Sequence, residues 1–98
     1  MSAPDTQVAM DPSDVADLIR EALPDARVRV RRARGKHDDD HLAALVVSPA
    51  FEGETLVDQH ELVYDALESH MTTDIHALEL KTYAPDAFED ADVAFEEA

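Results

Sequence analysis

Residues 26–31 read Ala-Arg-Val-Arg-Val-Arg, and residues 41–48 read His-Leu-Ala-Ala-Leu-Val-Val-Ser. Strict alternation in the first run predicts a half-buried strand, with Val28 and Val30 inward and the arginines outward. The second run is apolar at consecutive positions, so both of its faces need cover. That predicts a central strand. Between them, Gly35-Lys36-His37-Asp38-Asp39-Asp40 is a polar loop. Two such strands joined by such a loop predict an antiparallel hairpin.

Working outward, Asp11-Pro12 marks a helix start, an acid at the N-cap and Pro at the first helical position. Val15, Leu18, Ile19, Ala22 and Leu23 then fall on one helical face, and Pro24 ends the helix. On the other side of the hairpin, Pro49 and Gly53 bracket a short irregular piece, and Thr55 is placed to cap a second helix. Over 56–71, Leu56, Val63, Leu67 and Met71 keep helical spacing, with Leu62 and Ala66 beside them. Residues 75–82 predict a third strand, with His76, Leu78 and Leu80 on one face and Ala77, Glu79 and Lys81 on the other. Pro85 ends it. One helical turn and an acidic tail follow. The order is α-β-β-turn-α-β, an α+β chain with a three-stranded mixed sheet covered by helices on one face. It is the order of the type II KH-like fold. The domain is expected over 11–88, between a loose tail at 1–10 and an acidic tail at 89–98.

With 98 residues the chain allows one small domain, and with no cysteine it has no disulfide. The apolar share of 45% excludes wholesale disorder. The longest apolar run, Leu42 to Val47, is too short for a membrane span, and the first residues do not form a secretion signal. A cytoplasmic location is expected. The net charge is −15 and is unevenly spread. Residues 1–36 hold seven bases and six acids, whereas 37–98 hold Lys81 against 17 acids. That field repels nucleic-acid phosphates and becomes tolerable when salt screens it. With 14 Asp and two Lys, the composition points to a protein that works in high salt, such as a halophile's cytoplasm.

Several pieces, in order, resemble the BolA family. They are Val46-Val47-Ser48, Phe51-Glu52-Gly53, the helix around His60, and Ile75-His76-Ala77-Leu78 leading to Lys81-Thr82-Tyr83 and Pro85. The resemblance covers about half the chain, and the first helix and strand fit it by pattern only. It implies an α-β-β-α-α-β domain that partners a monothiol glutaredoxin. The pair would hold or transfer a [2Fe–2S] cluster in iron–sulfur assembly or iron homeostasis. It implies no bound cofactor in the isolated chain, which is expected to be a monomer. It also implies that His76 is a cluster ligand and that a second ligand, His or Cys, lies in the loop between the first two strands. With no cysteine present, His37 fits that place, with His41 as the alternative. Ile75, Ala77, Lys81 and His60 are the implied partner-binding residues.

Each of these residues also has an ordinary structural role open to it. On its strand, His76 reads as a core histidine, and His37 as part of a solvated loop. His60 shares a helical face with Val63 and Leu67, which favours packing. Asp38-Asp39-Asp40 lacks the glycine of a calcium loop. The alternative function is a BolA-type transcriptional regulator binding DNA through Arg29, Arg31, Arg32, Arg34 and Lys36. His60 is flanked by Gln59 and Glu61, with Asp65 and Glu68 following, and these three acids oppose that alternative, since like charges would face phosphates. The arginine row has a simpler use in blocking strand addition at a sheet edge. No nucleophile–base pair or phosphate loop is present, so no catalysis is expected.

Overall fold

The computed structural model describes residues 11–34, 41–68 and 77–91. Helix α1 spans Pro12–Ala22 and begins at the Asp11-Pro12 signal. Asp11 stands at the N-cap without a side-chain cap bond. Its backbone carbonyl accepts from the N–H of Asp14 at 3.0 Å, and its carboxylate lies 3.5 Å from Arg32. Strand β1 spans Arg27–Arg32 and β2 spans His41–Val47. They pair antiparallel, with Val28 opposite Val46 and Arg32 opposite Leu42. The ladder therefore runs one residue later in β1 than alternation alone predicted, because Arg32 still has a partner.

A 3₁₀ turn at Pro49–Phe51 follows, with Ser48 accepting from the N–H of Ala50 at 3.1 Å. This turn buries Phe51. Gly53 then takes a φ of +79°, in the left-handed region that glycine enters at little steric cost. Helix α2 spans Leu56–Ala66 and is capped by Thr55, whose hydroxyl accepts from the N–H of Asp58 at 3.1 Å. Strand β3 spans Ala77–Tyr83, and helix α3 spans Pro85–Ala91. β3 pairs parallel to β2, so the order β1-β2-β3 puts the apolar strand in the centre of a mixed sheet.

One face of the sheet carries Val28, Leu42 and Val46, and α1 and α2 cover it with Val15, Ile19, Leu23, Val63 and Leu67. Burial of this kind returns about 1.5–3 kcal/mol per large side chain and carries most of the stability. The other face carries Leu45 and Val47, which meet Phe88 of α3 and Tyr83. Where a single turn was expected, α3 forms a seven-residue helix, because Phe88 has a cluster to join. Leu56 departs from its expected place on the apolar stripe. It is 59% exposed, and Val57 beside it is 69% exposed. Gln59 already meets the edge strand β3, so the turn before it overhangs the sheet. Met71, like the tails at 1–10 and 92–98, lies outside the described residues. No described helix is long and apolar enough to cross a membrane.

Candidate functional site

Parallel pairing of β2 with β3 brings both strand starts to one end of the sheet. His41 opens β2 and is the register partner of Ala77, which opens β3. The two residues are 36 positions apart in sequence, counted from 41 to 77, and adjacent in the ladder. His41 is half-buried, and its carbonyl accepts from the N–H of Ala33 at 2.8 Å, which closes the hairpin. In the chain, residues 35–40 join Arg34 to His41, and Ala77 directly follows Ile75-His76. His37, Lys36, Ile75, His76 and the Asp38-Asp39-Asp40 run lie outside the described residues, as does His70. Among the described residues, no three or more of His, Asp and Glu group as metal donors would.

The other expected partner-binding residues lie further along. Lys81 is exposed and pairs with Leu45, four residues on from Ala77, or about 13 Å along the strand. His60 sits on α2 near the far end of β3. Together they line a shallow depression of about 240 Å³ with Leu56, Leu80, Thr82 and Tyr83. The fold therefore unites Lys81 with His60 and sets both apart from the His41–Ala77 end. The His60 ring lies edge-on to Tyr64, 6.5 Å between centroids. Its Nε2 is buried without a hydrogen-bond partner among the described residues.

A link that residue spacing did not show joins α2 to β3. The Thr82 hydroxyl donates to Gln59 Oε1 at 2.7 Å, and Gln59 Nε2 donates to the Glu54 carbonyl at 3.0 Å. These bonds fix how α2 lies beside His60 and Lys81. Thr82, in a row of alternating strand residues, gave only the hint of a hydroxyl on the covered face.

The basic residues do not share one surface. By alternation Arg27, Arg29 and Arg31 root on the face away from α1 and α2. Arg27 lies over the Phe88 ring at 5.6 Å, worth about 0.5–1 kcal/mol when exposed. Arg32 turns the other way, toward Asp11. Arg34 is exposed past the strand end.

A family model described as BolA-like protein matches residues 19–87. The chain belongs to the BolA-like family. The solved structure of a BolA protein homologue from Coxiella burnetii is 44% identical and superposes with a TM-score of 0.69, covering 82% of this chain and 97% of that one. Protein BOLA1, chloroplastic, of Arabidopsis thaliana is 40% identical over 53 residues, 53% of this chain and 33% of the relative. The DNA-binding transcriptional regulator BolA of Escherichia coli is 36% identical over 45 residues, 46% of this chain and 43% of the relative. The chain thus spans a third to under half of these two curated relatives. The observed order, with the 3₁₀ turn and α2 standing between β2 and β3, is the order the BolA resemblance implied.

Proposed function

We propose that this BolA-like chain is a non-catalytic cytoplasmic adaptor for a monothiol glutaredoxin, holding or handing on a [2Fe–2S] cluster in iron–sulfur assembly or iron homeostasis. The observation that carries the reading is the pairing of His41 with Ala77. It joins the end of the first loop to the start of the third strand, the two stretches from which the cluster ligands would come. His76 would supply one imidazole, and His37 or His41 the second. The donor set fits in kind. The chain has no thiolate to offer, and two histidines can replace two cysteines on one iron of such a cluster. The partner's thiols would complete it, and the cluster is cargo shared between the two proteins.

The test is anaerobic reconstitution of the chain with a monothiol glutaredoxin, iron and sulfide, followed by absorption and circular dichroism. A mixed cluster with a spectrum unlike that of the glutaredoxin homodimer is expected. His76→Ala should lose that difference and keep the far-UV spectrum of the parent. An unchanged mixed cluster in that variant would remove His76 as a ligand. His37→Ala should leave a labile cluster. If His41→Ala is the labile variant, the second ligand lies at the strand start.

The name of the Escherichia coli relative supports a second reading, direct DNA binding. Against it, the exposed side of α2 carries Asp58, Glu61 and Asp65, and exposed Glu68 follows its C-terminus. Those acids would face phosphates with like charge. Fluorescence anisotropy with the protein's own promoter should show weak, sequence-indifferent binding at low salt and none at high salt. Tight binding that prefers the promoter and survives salt would favour the regulator.

A further inference from the structure

The sheet face turned away from α1 and α2 is covered by α3 at one end only. Strand register lays that face out in rows. Arg27, Val47 and Tyr83 form the first row, and Phe88 of α3 packs on it beneath the Arg27 guanidinium. Arg29, Leu45 and Lys81 form the second row, and Arg31, Ala43 and Glu79 the third. Between the second and third rows, Arg31, Ala43, Glu79 and Lys81 line a small hollow to which no helix contributes a residue. The face is also basic. Arg27, Arg29, Arg31 and Lys81 stand on it with Glu79, so it gathers four of the chain's eight Lys and Arg residues on a molecule of net charge −15. In the second row, Arg29 Nε is buried with no hydrogen-bond partner. A buried donor left so is unfavourable until an acceptor meets it.

The chain carries acceptors of its own within reach. Helix α3 starts at Pro85, two residues after β3 ends, and its Phe88 already meets Leu45 and Val47 of β2 and Arg27 of β1. The chain is therefore delivered at Ala91 to this same face. Asp92-Val93-Ala94-Phe95-Glu96-Glu97-Ala98 follow, outside the described residues. Seven residues span about 10 Å in a helix and about 23 Å extended. The second row lies about 7 Å from the first and the third about 13 Å, so either span reaches the basic residues.

We propose that residues 92–98 cover the open part of this face, with Phe95 beside Leu45 and Ala43, and Glu96 and Glu97 reaching Arg29 and Lys81. Phe95 follows Phe88 by seven residues, the interval that returns a side chain to one helix face. A carboxylate at Arg29 would meet the unpartnered Nε, since guanidinium and carboxylate match as a planar pair. The same acids would be repelled elsewhere, because α1 exposes Asp14, Asp17 and Glu21 and α2 exposes Asp58, Glu61 and Asp65. Tethering favours this segment over a separate acidic chain, which has to compete with an effective concentration on the order of millimolar. The proposal does not rest on the cluster reading.

The chain has no tryptophan, so Phe95→Trp places a single reporter in the segment. Its emission and its quenching by acrylamide are read in the full chain at about 0.15 M salt, where distant charges are screened beyond about 8 Å. Emission at shorter wavelength and slower quenching are expected than in a free peptide of residues 89–98 with the same substitution. Adding Glu96→Lys and Glu97→Lys should return both readings to those of the peptide. Arg29→Glu should do the same with the far-UV circular dichroism of the parent, and joining it to the two lysine substitutions should restore part of the protection. Should Arg29→Glu not fold, the two lysine substitutions decide the matter alone. A reporter as exposed in the full chain as in the peptide would overturn the proposal. So would protection that survives the lysine substitutions. Protection lost on dilution of the protein would put the segment on a second copy and overturn it as well.

Discussion

Thr82 is a buried polar residue whose hydroxyl has one described use, the bond to Gln59. Replacing it with valine keeps the shape and removes the bond. Gln59 is half-buried and its amide can turn to water, so the loss is that of one hydrogen bond rather than an orphaned group. Thr82→Val should lower unfolding free energy by about 1 kcal/mol in urea titrations. A loss near zero would mean that the bond does not hold α2 against β3. At this scale the sequence was legible where one property dominated. Thr55 announced itself as a cap, and Val63 and Leu67 as core. Leu56 has the same chemistry as Leu67 and the opposite fate, because exposure depends on where the helix first meets the sheet.

Among the elements, α3 shows how packing can make a helix that propensity would not. Seven residues are too few to hold helical structure alone in water. Phe88 anchors them. Its ring meets Tyr83 at 5.5 Å between centroids and joins Leu45 and Val47 on the face that α1 and α2 leave open. Phe88→Ala should cost about 3 kcal/mol, in the range for deleting a buried phenyl ring. It should also remove a small part of the far-UV helical signal while the α1–α2 core stays formed. If the helical signal is unchanged, α3 is held by something other than its aromatic anchor. The acidic character of this stretch hid the helix, since Asp86, Glu89 and Asp90 surround one apolar anchor.

At the scale of the whole molecule, charge is distributed by element. Five of the six arginines lie on β1 and its exit, whereas α2 and α3 carry exposed acids and no lysine or arginine. Self-repulsion among those acids opposes the compact state until salt shortens its range. Stability should therefore rise between low and molar salt. A gain of about 1 kcal/mol would raise Tm by about 4–8 °C in a domain of this size. A Tm that stays level across that range would remove the reading of a protein adapted to high salt.

Alternation, helical spacing and end signals determined most of the local structure: α1 from Asp11-Pro12, β1 and β2 from their contrasting patterns, the cap at Thr55, and a central β2. Each depends on residues close in the chain, so each is written locally. The motifs around His60 and Ile75-His76-Ala77 pointed to the BolA family, which the match over residues 19–87 bears out. Only the tertiary structure decided which distant residues meet. It set His41 beside Ala77, separated Lys81 and His60 from that end, tied Gln59 to Thr82, and laid Arg29, Leu45 and Lys81 in one row on the sheet face that α3 covers at one end. Those outcomes follow from strand direction and from how far each helix reaches across the sheet, and no short stretch of sequence contains either quantity.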